Sequence, residues 1–127
     1  MGDRANIYLV DTDDPTHGIY LYTHHSGYKW PEQLRLALLA GRGRFGDDQY
    51  LARIIVSNVF KDIHDQETGG GLSTVIGDNG YPITIVDLPN RTVSWATEGG
   101  EGDRTAWYGT ITFWDFTDQT SANYPPR

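Results

Sequence analysis

Between Gly18 and Pro31 the chain changes its period, and that change limits the folds open to it. Ile19, Leu21 and Thr23 fall on one side of a strand and Tyr20, Tyr22 and His24 on the other, because side chains alternate along extended backbone. One side suits a core and the other suits contact. Ser26 to Trp30 reads as a loop, and Pro31 fits the first turn of a helix, where its missing N–H costs nothing. Glu32 and Gln33 complement the positive end of that helix. Leu34, Ala37, Leu38 and Leu39 give it an apolar stripe, and Gly41 stops it.

Upstream, Ala5–Val10 alternates in the same way, with Ile7 and Leu9 on one face and Asn6 and Tyr8 on the other. Asp11 to Gly18 is dense in turn formers, so the two strands should form a hairpin. In an antiparallel hairpin Asn6, Tyr8, Tyr20, Tyr22 and His24 share one face. Downstream, Leu51, Ile54, Ile55, Val59 and Ile63 recur at spacings of three and four and predict a second helix over about Asp48–Ile63. Asp47 or Asp48 can cap it. Gly69-Gly70-Gly71 cannot remain helical.

Four strands should follow, over Leu72–Ile76, Tyr81–Leu88, Thr92–Thr97 and Thr105–Phe116. The order ββααββββ predicts an α+β two-layer domain over residues 1–116, a mostly antiparallel sheet with both helices on one face. Residues 117–127 read as an irregular C-terminal tail. The second face of the sheet is then left uncovered by the chain itself. It is free for a ligand, for another protein or for a second copy in a homodimer.

Composition narrows the partners. The absence of cysteine excludes disulfides, thiolate metal sites and a cysteine nucleophile, and fits a reducing cytoplasm. No apolar run approaches the ~18 residues of a membrane span, and the start lacks a signal peptide's apolar segment, so a cytoplasmic protein with no membrane partner is expected. The net charge of −7 divides as −2 over residues 1–30, +1 over 31–62 and −6 over 63–127. Non-specific nucleic-acid binding needs many cations against phosphate, and this distribution disfavours it.

The ligand-binding candidates lie on and beside the aromatic face. Tyr8, Tyr20, Tyr22, Tyr28 and Trp30 can stack, His24, His25 and Asn6 can hydrogen-bond, and Arg4 can fork to a phosphate. Stacking on a base is worth roughly 1–3 kcal/mol. Tyr108, Thr110, Thr112 and Trp114 of the last strand would extend the same face. High β propensity of tyrosine, or a protein interface, produces the same pattern.

His24 titrates near neutrality and can serve as a general acid or base, which leaves a small hydrolase as a further reading. No nucleophile-elbow sequence accompanies it, and no catalytic residue is assigned. Neither His17 with Asp11, Asp13 and Asp14 nor His64 with Asp65 and Glu67 has zinc or calcium spacing, so no metal is expected. Gly41-Arg-Gly-Arg-Phe-Gly46 spells G-x-G-x-x-G but does not follow a strand, as a dinucleotide fingerprint must. No cofactor is expected.

Gly2-Asp-Arg-Ala-Asn6 and Tyr22-Thr-His-His-Ser-Gly27 together resemble a loose set of small, uncharacterised phage and prophage proteins. Those open on Gly-x-Arg-x-Asn and continue into Tyr-x-His-Trp-x-Gly before a helix. Arg4, Asn6, Tyr22, His24 and Gly27 match; His25 stands where the set has Trp. Tyr50–Ile55, Glu67–Ser73 and Ile76–Ile83 are similar too, so most of residues 1–95 is covered. The resemblance implies a bacterial-cell setting but supplies no activity. It frames the leading expectation, a phage-type accessory protein binding a nucleotide-like or other small polar ligand. In that setting the use would be sequestering a host signalling molecule as an anti-defence device. The alternative is an interaction module acting on a host protein.

Overall fold

The computed structural model describes residues 2–61 and 69–126. Its strands β1 (Ala5–Val10) and β2 (Gly18–Thr23) form the expected antiparallel hairpin, with Asn6 opposite Tyr22 and Tyr8 opposite Tyr20. Helix α1 (Trp30–Ala40) carries Pro31 in its first turn and ends at Gly41, whose N–H donates back to the carbonyls of Ala37 and Leu38. Helix α2 (Asp48–Val59) is capped by Asp47, whose carboxylate accepts from the Tyr50 N–H at 3.3 Å. The helix ends at Val59, shorter than the expected Asp48–Ile63: Phe60 leaves helical geometry as the C-cap and Lys61 lies in a turn, while residues 62 and 63 lie outside the described residues, as do His64, Asp65 and Glu67.

Leu34, Ala37 and Leu38 of α1 and Leu51, Ile55 and Val59 of α2 are buried against Ile7, Leu9 and Leu21 on the sheet. Leu39 is not part of this stripe. One residue advances a helix by about 100°, and the step from Leu38 turns Leu39 out to 41% exposure.

Strands β3 (Gly70–Ser73), β4 (Ile83–Asp87), β5 (Thr92–Ala96) and β6 (Tyr108–Thr112) complete a six-stranded sheet in the order β3-β2-β1-β4-β5-β6. β4 runs parallel to β1 and every other pairing is antiparallel. The fold is therefore α+β with a mixed, mostly antiparallel sheet. β3 lies earlier than the expected Leu72–Ile76 because its glycines pair along the free edge of β2, with Gly71 opposite Tyr22.

The expected closing strand Thr105–Phe116 is a correction. It breaks at Phe113 into helix α3 (Phe113–Asp118), where the Thr112 hydroxyl accepts from the Asp115 N–H and caps the turn. The helical spacing of Phe113 and Phe116 puts both in the core, which a strand could not do for residues three apart. The expected domain boundary at 116 falls inside this helix. Beyond it the chain docks back: the Ala122 N–H donates to Glu32, and the Tyr124 ring stacks on Tyr81 at 4.6 Å.

The second face of the sheet is not bare. Tyr8, Val10, Tyr20, Ile83, Ile85 and Ala96 form a second buried cluster there, with Ile76 and Trp107 packed over it. The Tyr8 hydroxyl donates to the Pro15 carbonyl at 2.7 Å and the Tyr20 hydroxyl to Glu101 at 2.7 Å. The connections 11–17, 76–82 and 97–107 thus cover much of the face expected to be open, and that part is unavailable to a second copy. Among the described residues no helix is long and apolar enough to cross a membrane.

Candidate functional site

The hairpin ladder continues beyond β1, because the Asp3 N–H donates to the His24 carbonyl at 2.6 Å. The chain start is thereby laid alongside Tyr22 and His24. His24 packs so closely over Gly2 that a Cβ there would lie 2.9 Å from its Nε2. Arg4 Nε lies 3.4 Å from His24 Nδ1, and the Tyr22 hydroxyl lies 2.9 Å from the same nitrogen. Asn6 stands directly opposite Tyr22. The two sequence segments quoted above are therefore one structural unit: Gly2, Arg4 and Asn6 each support the Tyr22–His24 pair.

The Arg4 Nε–H can only donate, so Nδ1 is the accepting nitrogen, the Tyr22 hydroxyl donates to it as well, and the imidazole proton sits on Nε2. Burial, then the nearby charge of His25 and of Arg4, holds the His24 pKa below the usual histidine value. His24 is accordingly neutral at pH 7.

The same strand holds a loop. Asn6 Nδ2 donates to the Asp78 carbonyl at 3.0 Å and to Asn79 Oδ1 at 3.3 Å, and the Gly80 N–H donates to the Arg4 carbonyl at 2.9 Å. Asp78 is brought within 3.7 Å of Arg4 Nε, with Asp78 71% and Arg4 41% exposed. An ion pair this exposed is worth at most about 1 kcal/mol, so a ligand can part it at little cost. Asn6 Oδ1 is buried without a hydrogen-bond partner among the described residues.

Between this loop and edge strand β3 lies a groove of about 360 Å³ lined by Tyr22, Gly70–Ser73, Val75, Gly77 and Asp78. The Ser73 hydroxyl donates to the Val75 carbonyl and turns the chain back to make its far side. Gly71 and Gly77 leave it open: a Cβ at either would meet nothing within 4 Å. The volume is at the lower end of the ~300–1,000 Å³ typical of small-molecule sites.

Of the expected ligand-binding residues, Arg4, Tyr22, His24 and His25 come together, His25 meeting His24 edge-on with ring centroids 4.5 Å apart, whereas Asn6, 1% exposed, spends its amide on Asp78 and Asn79 and is buried away from a ligand. Tyr8 and Tyr20 are buried under the connections, and Trp30 is 1% exposed inside the main core, edge-on to Phe60. None of these three rings can stack on a ligand. Tyr28 is exposed beside Lys29 and does not line the groove. Of the last strand, Thr110 does face this side, its hydroxyl 2.9 Å from that of Ser94, but the rings do not extend the aromatic face: Tyr108 pairs with Trp95 on the helix side, and Trp114 belongs to α3, packed on Phe45.

Of the residues lining the groove only Tyr22 was expected; Gly70–Ser73, Val75, Gly77 and Asp78 were missed from sequence. The glycine run reads as a helix breaker, and its further meaning, space beside Tyr22, depends on the pairing of Gly71 with a strand far earlier in the chain. The hydrolase geometry is not met either. His24 Nδ1 faces Tyr22 and Arg4 rather than a carboxylate, and Asp78 is engaged by Arg4. Asp14 beside His17 is occupied by turn chemistry, accepting from the N–H and hydroxyl of Thr16. Among the described residues no three His, Asp or Glu side chains are grouped to hold a metal ion.

A scan against protein-family models, a search of curated proteins and a search of solved structures each find no match to this chain.

Proposed function

We propose that this chain is a small binding protein that holds a nucleotide-like, planar and polar ligand in the groove above Gly71. The observation that carries this reading is the convergence of Arg4, Tyr22 and His24 beside a glycine-floored groove of about 360 Å³, which Tyr22 and Asp78 line. The ring of Tyr22 offers the wall on which a base stacks, worth roughly 1–3 kcal/mol. Asp78 accepts from the edge of the base, and Arg4, released from Asp78, meets a phosphate. No step of bond making or breaking is assigned.

The phage-type setting implied by the sequence resemblance gives such a binder a use, sequestration of a host signalling nucleotide. Native mass spectrometry of protein purified from its host tests the reading. A reproducible added mass, released on denaturation, supports it and gives the ligand's class. Bare protein, with no mass added after incubation with nucleotides, counts against it.

A further inference from the structure

The two edges of the sheet are finished differently. β6 is blunted: its register with β5 shifts between Val93 and Trp95, Gly109 takes a φ of 67°, and Pro125 stands 3.4 Å from where a Cβ on that glycine would lie. β3, at the opposite edge, is not defended by charge or by proline, since residues 69–77 contain neither. The His24 N–H donates to the Gly69 carbonyl at 3.3 Å, and bonding alternates along an antiparallel pair. Gly71 and Ser73 therefore bond to β2, while the N–H and C=O of Gly70 and Leu72 point away from the sheet. Among the described residues no strand pairs with that outer side.

The helical layer sets an apolar flank above the same edge. α1 packs on both α2 and α3, and α3 contacts β5, so α2 holds the other end of the layer, above β2 and β3. Leu51 and Ile55 of α2 are buried toward the sheet, and Ile54 faces α1, 3.3 Å from where a Cβ on Gly41 would lie. A helical step of about 100° then puts Ala52 and Val56, both half-buried, on the flank away from α1. Leu72, opposite Leu21 on the helix side of the sheet, is 51% exposed beneath that flank. The charged residues bordering it, Asp48 and Arg53, are of opposite sign and cancel.

We infer that β3 pairs antiparallel with β3 of a second copy, about a two-fold axis at Leu72. The pairing joins two six-stranded sheets into one and brings the two α2 flanks together. In this register Leu72 faces its own mate and Gly70 faces Thr74, so the outward N–H and C=O groups of each strand meet those of the other. The choice of a second copy over a foreign strand rests on the edge itself. Charges or side-chain pockets select a foreign strand, and β3 offers two glycines, a leucine and a serine. A second copy brings the same neutral strand with the same flank above it, so both layers close at once and no like charges meet along 69–77. Ser73 of the second copy then stands beside Gly71 and walls the groove described above, although the pairing itself needs no ligand.

The test is sedimentation velocity of the full chain over a concentration series, beside Leu72→Lys and Val56→Lys. The wild type is expected to dimerise, and each lysine to weaken the dimer at least roughly tenfold. Leu72 lies in an exposed position, so Leu72→Lys carries the test should Val56→Lys fail to fold. Amide exchange reads the register: the Gly70 and Leu72 N–H groups should gain protection as the wild type is concentrated, and that of Gly71, already bonded to β2, should not. A wild type still monomeric at about 1 mM, a dimer that folded Leu72→Lys leaves intact, or exchange at Leu72 that ignores concentration would each overturn the inference.

Discussion

Tyr22 and His24, two residues apart on one face of the hairpin, are joined by a 2.9 Å hydrogen bond from the Tyr22 hydroxyl to Nδ1 of the imidazole. Arg4 approaches the same nitrogen at 3.4 Å. Because the folded His24 pKa is depressed, the unfolded chain takes up this proton first as pH falls. The stability from neutral His24 is present above the ordinary histidine value and lost as pH falls through the lowered one. Long-range ¹H–¹⁵N spectra should show the Nε2–H tautomer at pH 7.5. Arg4→Gln, which removes a nearby positive charge, should move the titration upward. A proton on Nδ1, or an unmoved titration in the variant, would contradict this geometry.

Trp30 and Tyr22 were both expected to stack on a ligand, and the fold separates them. Trp30→Ala should cost about 3–5 kcal/mol in urea unfolding, because it empties a core position. Tyr22→Ala, at a half-buried position, should cost about 1 kcal/mol and act mainly on binding. Similar unfolding midpoints for the two variants would refute the assignment of Trp30 to the core.

Gly18 allows the covered face to form. A Cβ there would lie 2.4 Å from the Tyr8 ring, whose hydroxyl ties down the 11–17 connection through Pro15. Gly18→Ala should therefore destabilise by about 1–3 kcal/mol. It should also raise hydrogen exchange in residues 11–17. An unchanged midpoint would mean that Tyr8 does not hold this connection.

Glu32 links α1 to the C-terminal segment. It accepts from Arg35 at 2.7 Å and from the Ala122 N–H at 2.8 Å, and Arg35 chiefly holds its pKa below the ordinary glutamate value. With a lowered folded pKa, its stabilisation is full above the unfolded value and is lost as pH falls through the folded one. Glu32→Gln should lose about 1–3 kcal/mol at pH 7 and show a shallower acid limb. A stability–pH curve parallel to that of the wild type would exclude this role.

What was legible in the sequence was local. Alternation in residues 5–10 and 19–24, Pro31 at a helix start and an aspartate before Tyr50 specify their elements through neighbours a few positions away. The cover over Tyr8 and Tyr20 was not legible, because it depends on Pro15, Glu101 and Trp107 arriving from separate connections. The turn of β6 into α3 did leave a sign: Thr112 three residues before Asp115 is a capping pattern, overshadowed by the alternation of Thr110, Thr112 and Trp114. The site was half legible. Arg4, Tyr22 and His24 are brought together by one hairpin, whereas the groove beside them is made by β3 and the loop to Asp78, far along the chain.

The most direct measurement is an amide NMR titration of the wild type and of Gly71→Leu with the adenosine, guanosine, cytidine and uridine monophosphates. A Cβ at Gly71 points into open space, and leucine suits a strand better than glycine, so the variant should fold with equal or greater stability while filling the groove. The expected result is saturable shifts at Tyr22, Gly70, Gly71 and Gly77 with at least one nucleotide, abolished in the folded variant. No saturable shift with any of the four, or equal affinity in wild type and Gly71→Leu, would contradict a nucleotide-like ligand in this groove.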